Sequence, residues 1–358
     1  QPQPEKLVRW SAPLDMNLND PAPVGFRSAT GVWTPDGKHV LTAGHAREDK
    51  DKPWVGEVRV WDAATGKVVH AFRGDAGSYR HLAGTLAISP DGKTVAAGGV
   101  AKAGVGNEGA FVEVWDWGKE KPQQKLEGFE VTITGVAFSP DGKQLAAIDQ
   151  RGRLRVWDLA DGKLQHEMNR DRSRYWSVAF HPTRKFLAFG CEDGTGGIGF
   201  WDPAVDPKPG AVPSGGSILT NSDPRVEVLS VAFSRDGKYL AAGGLTGELT
   251  VPLVLLQFGD LPVLFYPDPP LPDVGCVHQV AFSPDGKLLA AACQDKTVRV
   301  FEPHPGPPKR VLKQVAIAQE HTDFVYSVQF SPDGKSLLTI GRDSVKVWSM
   351  AELMKRKK

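Results

Sequence analysis

The sequence predicts an all-β protein built from seven antiparallel units of four strands each. Three observations support this prediction. A turn phrase of the form Ser-Pro-Asp-Gly-Lys recurs along the 358-residue chain, short apolar runs flank each copy on both sides, and a Trp-Asp pair follows most copies. Repetition at this spacing is typical of proteins in which each repeat is one small supersecondary unit.

The turn phrase predicts the tip of a β-hairpin. Pro at the second position presets φ, Asp accepts a local hydrogen bond, and Gly supplies the left-handed residue that closes the turn. The copies lie at 34–38, 89–93, 139–143, 181–185, 234–238, 283–287 and 331–335. Two copies are degenerate, because 181–185 reads His-Pro-Thr-Arg-Lys and 234–238 reads Ser-Arg-Asp-Gly-Lys.

A Trp-Asp pair marks the third strand of each unit. It occurs at Trp61-Asp62, Trp115-Asp116, Trp157-Asp158 and Trp201-Asp202, with worn equivalents at Phe301-Glu302 and Trp348-Ser349. In the fifth unit we expect Pro252 to occupy the Trp position. A second turn and one more short strand follow several of these pairs. Each unit therefore reads as strands a to d in chain order, over roughly 40–55 residues.

Together the turn phrase, the Trp-Asp pair and the spacing resemble the WD40-repeat family over nearly the whole chain. The resemblance implies a seven-bladed β-propeller, with residues 6–350 as one domain and residues 1–5 and 351–358 as terminal tails. The family's repeat often carries a buried His–Ser/Thr–Asp–Trp hydrogen-bond set, which is expected to be eroded here. The last blade keeps His321, Asp343 and Trp348, but it has the apolar Ile340 nearby.

The last blade is one strand short, and the N-terminus has one strand to spare. Leu7–Trp10 reads as a strand before the first repeat, whereas residues 351–358 show no strand pattern. We therefore expect the N-terminal strand to complete blade seven and close the ring. A different irregularity is the apolar stretch 253–273 in blade five, in which Leu261–Tyr266 is the expected outer strand.

Composition limits the classes of partner. The net charge of +1 gives no general attraction to nucleic acid or to an anionic membrane, and no apolar run approaches the length of a membrane span. The chain starts at Gln1, and Gln-Pro-Gln-Pro is typical of residues after a removed export signal. A soluble, exported or periplasmic location is therefore favoured over a cytoplasmic one, although an artificial chain start explains the same residues.

Three cysteines do not suggest a disulfide framework. Counting outward from the sixth hairpin places Cys276 opposite Cys293. A cross-strand disulfide between them is conceivable but geometrically demanding. Two reduced, half-buried thiols are the favoured alternative.

Two insertions mark a candidate binding surface. Antiparallel alternation places the b–c and d–a loops on one face of the disc, and the insertions 45–54 and 101–109 emerge there. They lie beside the d–a loop that carries Tyr79, Arg80 and His81. Loops on a rigid scaffold are common recognition sites, and Trp54 is a candidate aromatic anchor. The alternative is that Trp54 folds back against the blade.

A basic patch is predicted on the same face, in the adjoining loops of blades three and four. Its members are Arg151, Arg153, Arg170, Arg172 and Arg174. Arginine beside aromatic residues suits an acidic or phosphorylated peptide, and it would also suit single-stranded nucleic acid. The favoured alternative is an internally paired surface, because Asp149, Glu167 and Asp171 lie nearby. Tyr175 is expected to be a core residue, despite its place in this sequence.

The search for catalytic motifs is negative. The sequence contains no phosphate-binding glycine loop, His-Glu-x-x-His, nucleophile elbow or Cys-x-x-Cys. We therefore predict no catalytic, cofactor-binding or metal-binding residues and a monomeric, non-enzymatic scaffold that binds a protein or peptide; nucleic acid is not an expected partner. The alternative is a propeller hydrolase or lactonase with a site at the axial channel.

Overall fold

The computed structural model describes residues 7–14, 25–47, 55–74, 85–99, 109–169, 173–192, 197–204, 227–245, 252–258, 263–271, 274–304 and 311–356. These residues form twenty-seven strands and one short helix. Consecutive strands pair antiparallel, and the order of the strands in the sheets is compatible with the seven expected blades. The chain is therefore an all-β propeller, as its repeats predict.

The strands follow one another along the chain in blade order. The first is β1 (Val8–Pro13), and blade one comprises β2 (Gly25–Trp33), β3 (His39–Arg47), β4 (Val55–Asp62) and β5 (Val68–Arg73). Blade two comprises β6 (Leu86–Ile88), β7 (Thr94–Gly99), β8 (Ala110–Asp116) and β9 (Gln124–Phe129). Blade three comprises β10 (Ile133–Phe138), β11 (Gln144–Asp149), β12 (Arg153–Asp158) and β13 (Leu164–Asn169). The described strands of blade four are β14 (Arg174–Phe180), β15 (Leu187–Glu192) and β16 (Gly197–Trp201).

The remaining blades complete the ring. Blade five comprises β17 (Glu227–Phe233), β18 (Tyr239–Leu245), β19 (Leu253–Gln257) and β20 (Val263–Asp268). Blade six comprises β21 (Val277–Phe282), β22 (Leu289–Cys293), β23 (Val298–His304) and β24 (Val311–Ala318). Blade seven contains β25 (Val325–Phe330), β26 (Ser336–Gly341) and β27 (Ser344–Ser349), and the chain continues into α1 (Met350–Lys355).

The N-terminal strand closes blade seven, which confirms the prediction. β1 pairs antiparallel with β27 at the outer edge of the sheet, with Ser11 opposite Lys346 and Pro13 opposite Ser344. Trp10 extends the contact into blade one: its indole Nε1 donates to the Ala63 carbonyl at 2.8 Å, and its ring stacks against Trp61. β1 therefore joins the last blade to the first through both its backbone and a side chain.

The turn phrase has the same internal geometry in most blades. In blade three the Ser139 hydroxyl donates to the Asp141 carboxylate at 2.6 Å and accepts the Gln144 amide at 2.9 Å. Gly142 has a φ of 71°, in the left-handed region that favours glycine. The apolar residues on either side are thereby placed in register on β10 and β11.

The turn phrases also contact one another around the ring. A Cβ placed on Gly92 would lie 3.2 Å from Cδ of Pro35, in the preceding blade. The same Gly–Pro relation holds for Gly142 and Pro90 and for Gly334 and Pro284. These turns thus pack their glycine against the previous blade's proline, a role that the local turn geometry does not reveal.

This chain of contacts is broken where the phrase is degenerate. Gly286 in blade six has no neighbour within 4 Å of its would-be Cβ, because blade five carries Arg235 at the proline position. β20 and β24 are the outer strands of blades five and six, and they pair in parallel. This pairing joins the two blades into one eight-stranded sheet. The two blades are therefore held together at their periphery.

The expected alignment of blade five was wrong. Leu256 pairs with Leu240, as Trp61 pairs with Val40 and Trp157 with Leu145. Leu256 and not Pro252 therefore occupies the Trp position. The apolar run around it contains no aromatic or acidic residue that marks this register. The expected outer strand is present as β20, shifted by two residues at both ends.

Between the blades, side chains on the inner strands bind the backbone of the following blade. The Ser177 hydroxyl accepts the Val231 amide at 3.1 Å, and Ser230 accepts the Val280 amide at the same distance. At the closing seam, Gln329 Oε1 accepts the Trp33 amide at 2.5 Å. These bonds satisfy backbone groups on the free inner edge of each sheet.

Of residues 351–358, which we expected to form a tail, 351–355 belong to the helix α1. Ser349 caps the helix by accepting the Glu352 amide, and Met350 and Leu353 are buried against the core between blades six and seven. The repeat pattern gave no sign of this helix because it is only six residues long.

The three cysteines are buried, and Cys276 and Cys293 are not joined by a disulfide. Val277, and not Cys276, lies opposite Cys293, because Phe282 pairs with Leu289 and not with Lys287 as the count outward from the hairpin assumed. The structure thus matches the reduced alternative.

Candidate functional site: the b–c and d–a loop face

The described part of the loop face includes the turns at 130–132, 150–152, 294–297, 319–324 and 342–343. Of the predicted binding residues, Arg151, Arg153 and Arg174 belong to the described part of the chain. The other predicted binding residues lie outside the described residues: Trp54, Tyr79, Arg80, His81, Arg170 and Arg172. The structure therefore brings together only the part of the basic patch that flanks β12 and β14.

In blade three, the arginines are paired with carboxylates. The Glu130 carboxylate accepts hydrogen bonds from Arg151 Nη1 at 2.9 Å and from Arg153 Nη2 at 3.3 Å. The other Nη of Arg153 donates to the Gly128 carbonyl at 2.7 Å. Exposed pairs of this kind contribute little stability singly, but together they fix the orientation of both guanidinium groups. These two arginines therefore match the alternative in which the patch is an internally paired surface.

The turn between β11 and β12 is held by Asp149. Its Oδ1 accepts the backbone amides of Arg151 at 2.8 Å and Arg153 at 3.0 Å. Burial raises the pKa of the Asp149 carboxyl, while these two hydrogen bonds act in the opposite direction. Asp149 therefore positions the two arginines through the backbone.

At the boundary between blades four and five, Arg174 Nη1 lies 3.3 Å from Glu192 Oε2. Burial, together with the nearby negative charge of Glu192, raises the pKa of Glu227. One arginine thus faces two carboxyl groups. Sequence analysis missed Glu130, Glu192 and Glu227, because each lies at or beside the loop-face end of a strand, away from the turn phrases that mark the strands.

Burial holds two titratable groups behind this face, Cys276 and His278, in their neutral forms. Burial raises the pKa of the Cys276 thiol to about 12 and lowers the pKa of His278 to about 4. The thiol is therefore protonated and the imidazole neutral near pH 7. Tyr175 is fully buried, as predicted. Among the described residues, no group of three or more His, Cys, Asp or Glu side chains is placed to hold a metal ion.

Blade seven retains the hydrogen-bond set that we expected to be eroded. Asp343 accepts from His321 Nδ1 at 2.6 Å, His321 Nε2 lies 2.7 Å from the Thr339 hydroxyl, and Trp348 Nε1 donates to that hydroxyl at 2.8 Å. The prediction failed because it considered Ile340, whereas its neighbour Thr339 provides the hydroxyl.

Asp343 remains ionised in this set. Burial acts to raise the pKa of its carboxyl, but hydrogen bonds from His321, Thr322 and Ser344 outweigh it and hold the pKa well below its usual range. These hydrogen bonds stabilise the carboxylate and tie the loop between β24 and β25 to the turn between β26 and β27.

On the opposite face, a cleft of about 650 Å³ lies at the seam between blades seven and one. Arg9 of β1, the turn-phrase residues Asp36 and Asp333, and Asp62 of the c–d turn contribute to its walls. Its lining mixes basic and acidic groups. No helix in the described part of the chain has the length and apolar character needed to cross a membrane.

Comparison with known families identifies the class of protein. Five segments match the family model of the WD domain, G-beta repeat: 120–158, 162–196, 216–250, 272–302 and 312–349. The first begins before β9, the outer strand of blade two, and ends with the third strand of blade three. The sequence repeat is thus offset from the blade by one strand, which is why the ring closes through β1. The chain is a member of the WD40-repeat β-propeller proteins.

Individual relatives are similar over part of their length. A WD repeat-containing protein, SL1-17 of Schistosoma mansoni, is 30% identical over 54% of this chain and 58% of its own. The target of rapamycin complex subunit LST8 of Bos taurus is 25% identical over 68% of this chain and 69% of its own. The transcriptional corepressor LEUNIG_HOMOLOG of Arabidopsis thaliana is 25% identical over 74% of this chain and 30% of its own. The matched region thus spans less than two thirds of the first relative.

Proposed function

We propose that the chain is a non-enzymatic protein-interaction scaffold that holds a peptide or partner domain on its b–c and d–a loop face. The observation that carries this proposal is membership of the WD40-repeat family together with the names of its relatives. One is named as a subunit of a complex and another as a transcriptional corepressor. Both names describe proteins that act together with other macromolecules.

The geometry of the loop face supports the proposal. Arg151 and Arg153 are held by Glu130, and Arg174 is held beside Glu192. We assign them to a rigid, charged rim that orients the adjoining loops and contributes polar contacts at the edge of an interface. The direct anchors proposed are the predicted residues Trp54, Tyr79, Arg80, His81, Arg170 and Arg172.

The chemistry of the described part of the face favours binding over catalysis. The Cys276 thiol and the His278 imidazole are held in their neutral forms by burial. A cysteine nucleophile needs a lowered pKa, and a histidine general base needs a pKa near the working pH. The hydrolase alternative therefore has no observation in its favour among these residues.

Affinity capture from the native cell tests the proposal. The W54A/R172A double variant is expected to lose the partners retained by the wild-type chain, because it removes an aromatic anchor and a basic contact. The K143A variant is the control, since Lys143 is an exposed residue of a turn phrase on the opposite face. An unchanged set of partners for W54A/R172A would contradict the proposed face.

A further inference from the structure

The two degenerate turn phrases lie side by side in the ring, in blades four and five. In the first, His181 replaces the usual Ser or Thr: its Nδ1 accepts the Arg184 amide at 3.0 Å, and its Nε2 lies 3.2 Å from the Gly237 carbonyl in blade five. The neutral tautomer that donates from Nε2 satisfies both contacts. His181 thus joins the two tips in place of a Gly–Pro contact.

A cluster of aromatic rings surrounds His181 on the a–b turn face. The His181 ring lies 4.7 Å from that of Phe186 and 4.9 Å from that of Phe233, and the Phe200 and Phe258 rings lie 5.9 Å apart. All four phenylalanines are half-buried, and three of them cap the apolar core between blades four and five. The cluster therefore presents recessed aromatic surface to solvent at a boundary between blades.

Two of these rings depart from the repeat. Phe200 stands where five other blades carry valine, namely Val60, Val114, Val156, Val300 and Val347. Phe186 follows the Lys of its turn phrase, where blades one to three carry His39, Thr94 and Gln144. Phe233 and Phe258 occupy positions that are large and apolar in other blades as well, such as Phe138 and Trp117. Phe186 and Phe200 therefore supply the additional aromatic area at this boundary.

The charge of the surrounding turns also departs from the repeat. Each of the five regular phrases pairs one Asp with one Lys, whereas the phrase of blade four has Arg184 and Lys185 and no acid. Blade five adds Arg235 and a Lys238–Asp236 pair at 3.3 Å. Arg184, Lys185 and Arg235 are exposed and have no ion-pair partner among the residues that the structure describes. Counting Asp202 in the c–d turn of blade four, four basic side chains face two acidic ones.

From these observations we propose a second docking surface, formed by Phe186, Phe200, Phe233 and Phe258 with a rim of Arg184, Lys185 and Arg235. Its occupant is an acidic peptide segment of a partner protein that inserts an apolar side chain between the tips of blades four and five. Aromatic and arginine side chains supply much of the binding energy in protein interfaces, and the basic rim complements an acidic segment. This surface lies on the face opposite the loop face and is independent of it.

The shape of the cluster favours a peptide over a membrane. The most exposed large apolar side chains of the described residues are Val68, Val69, Leu164 and Tyr266, and none belongs to the cluster. Recessed rings accept an inserted side chain, whereas insertion into a bilayer requires rings that project. The membrane is therefore an outcome for the test to exclude.

The test uses the full chain and three fluorescein-labelled octapeptides. The first alternates paired acidic residues with leucine (Asp-Glu-Leu-Asp-Glu-Leu-Asp-Glu), the second replaces leucine with serine, and the third replaces the acids with lysine. We expect saturable fluorescence anisotropy with the first peptide only, and weaker binding at high ionic strength because screening reduces the contribution of the rim. No saturation up to about 1 mM would overturn the proposal.

Two variants that restore the repeat separate binding from folding. F200V introduces the valine of five other blades, and R235P introduces the proline that would contact Gly286. The F200V/R235P double variant is expected to keep the wild-type melting temperature and to bind the first peptide about tenfold more weakly. The K287Q variant, in a regular turn, is expected to bind like the wild type.

Three results would contradict the docking surface. They are unchanged affinity in F200V/R235P, equal binding of the serine peptide, and binding to vesicles of phosphatidylserine and phosphatidylcholine without binding to the peptide. If the W54A/R172A variant loses its partners but still binds the first peptide, the loop face and the docking surface act independently.

Discussion

At the scale of the residue, the same side chain has different consequences according to what the neighbouring blade provides. Thr339 and Thr42 occupy equivalent buried positions, yet within the described residues Thr339 contacts both Trp348 and His321, whereas Thr42 accepts from Trp61. Gly92 and Gly286 have nearly the same φ, yet only Gly92 faces a proline. The contribution of a repeated residue therefore depends on the adjacent blade as well as on its own turn.

The threonine pair gives a direct prediction. T339V removes one hydroxyl from two buried partners and is expected to cost about 2–4 kcal/mol of unfolding free energy, because each unsatisfied buried group costs roughly 1–3 kcal/mol. T42V removes one such bond and is expected to cost about half as much. Equilibrium urea denaturation of both variants measures the difference. Equal destabilisation would show that the His321 contact adds nothing.

The glycines of the turn phrases give a graded prediction. Alanine at Gly286, Gly92 or Gly237 meets the same backbone strain, since φ is 70°, 73° and 69°. The added Cβ meets nothing at Gly286, lies 3.2 Å from Pro35 at Gly92, and would overlap the His181 ring at Gly237. The loss of stability is expected to increase in that order, with about 1 kcal/mol between successive variants. A thermal melting series in which all three variants agree would contradict the contact between blades.

At the scale of the element, the N-terminal strand contributes most to the integrity of the ring. β1 supplies the outer strand of blade seven, and Trp10 reaches the c–d turn of blade one. Gly66 in that turn has a φ of 70° and lies directly against the Trp10 ring, so a larger residue there would displace the indole. β1 therefore stabilises the seam from both sides.

Deletion of residues 1–12 tests this role. It removes most of β1 with Trp10 and leaves the edge of β27 unpaired, so the whole propeller is expected to lose stability in a single cooperative transition. W10A keeps the strand but loses an indole that is about nine-tenths buried, at a cost of about 3–5 kcal/mol. A chain lacking only residues 1–6 is the matched control and is expected to melt like the wild type. Unchanged stability of the 1–12 deletion would contradict closure by β1.

Which elements could be predicted depends on whether the repeat marks them. The turn phrase and the Trp-Asp pair place most strands, and the unpaired N-terminal strand follows from the missing partner in blade seven. Blade five was misaligned, because β19 reads Leu-Val-Leu-Leu-Gln and carries neither Trp nor Asp. Glu130 was missed as the partner of Arg151 and Arg153, since the contact joins segments more than twenty residues apart. Contacts between side chains of different strands leave no periodic signal in one sequence.

At the scale of the whole molecule, the two faces of the disc have different chemistry. The turn-phrase face is built from balanced Asp–Lys pairs, except at blades four and five, where basic residues surround the phenylalanine cluster. The loop face carries paired charges at its described rim and the predicted anchors in its long loops. We therefore expect partners to be recognised where the repeat is interrupted.

Cross-linking of the wild-type chain to a captured partner, followed by mass spectrometry, tests this expectation most directly. Lysines occur in both settings: Lys50, Lys52 and Lys102 lie in the insertions of blades one and two, and Lys38, Lys93, Lys143, Lys287 and Lys335 lie in the regular turns. The account predicts cross-links from the insertion lysines to the partner and few from the regular turns. Cross-links confined to the regular turns would contradict a binding role for the loop face.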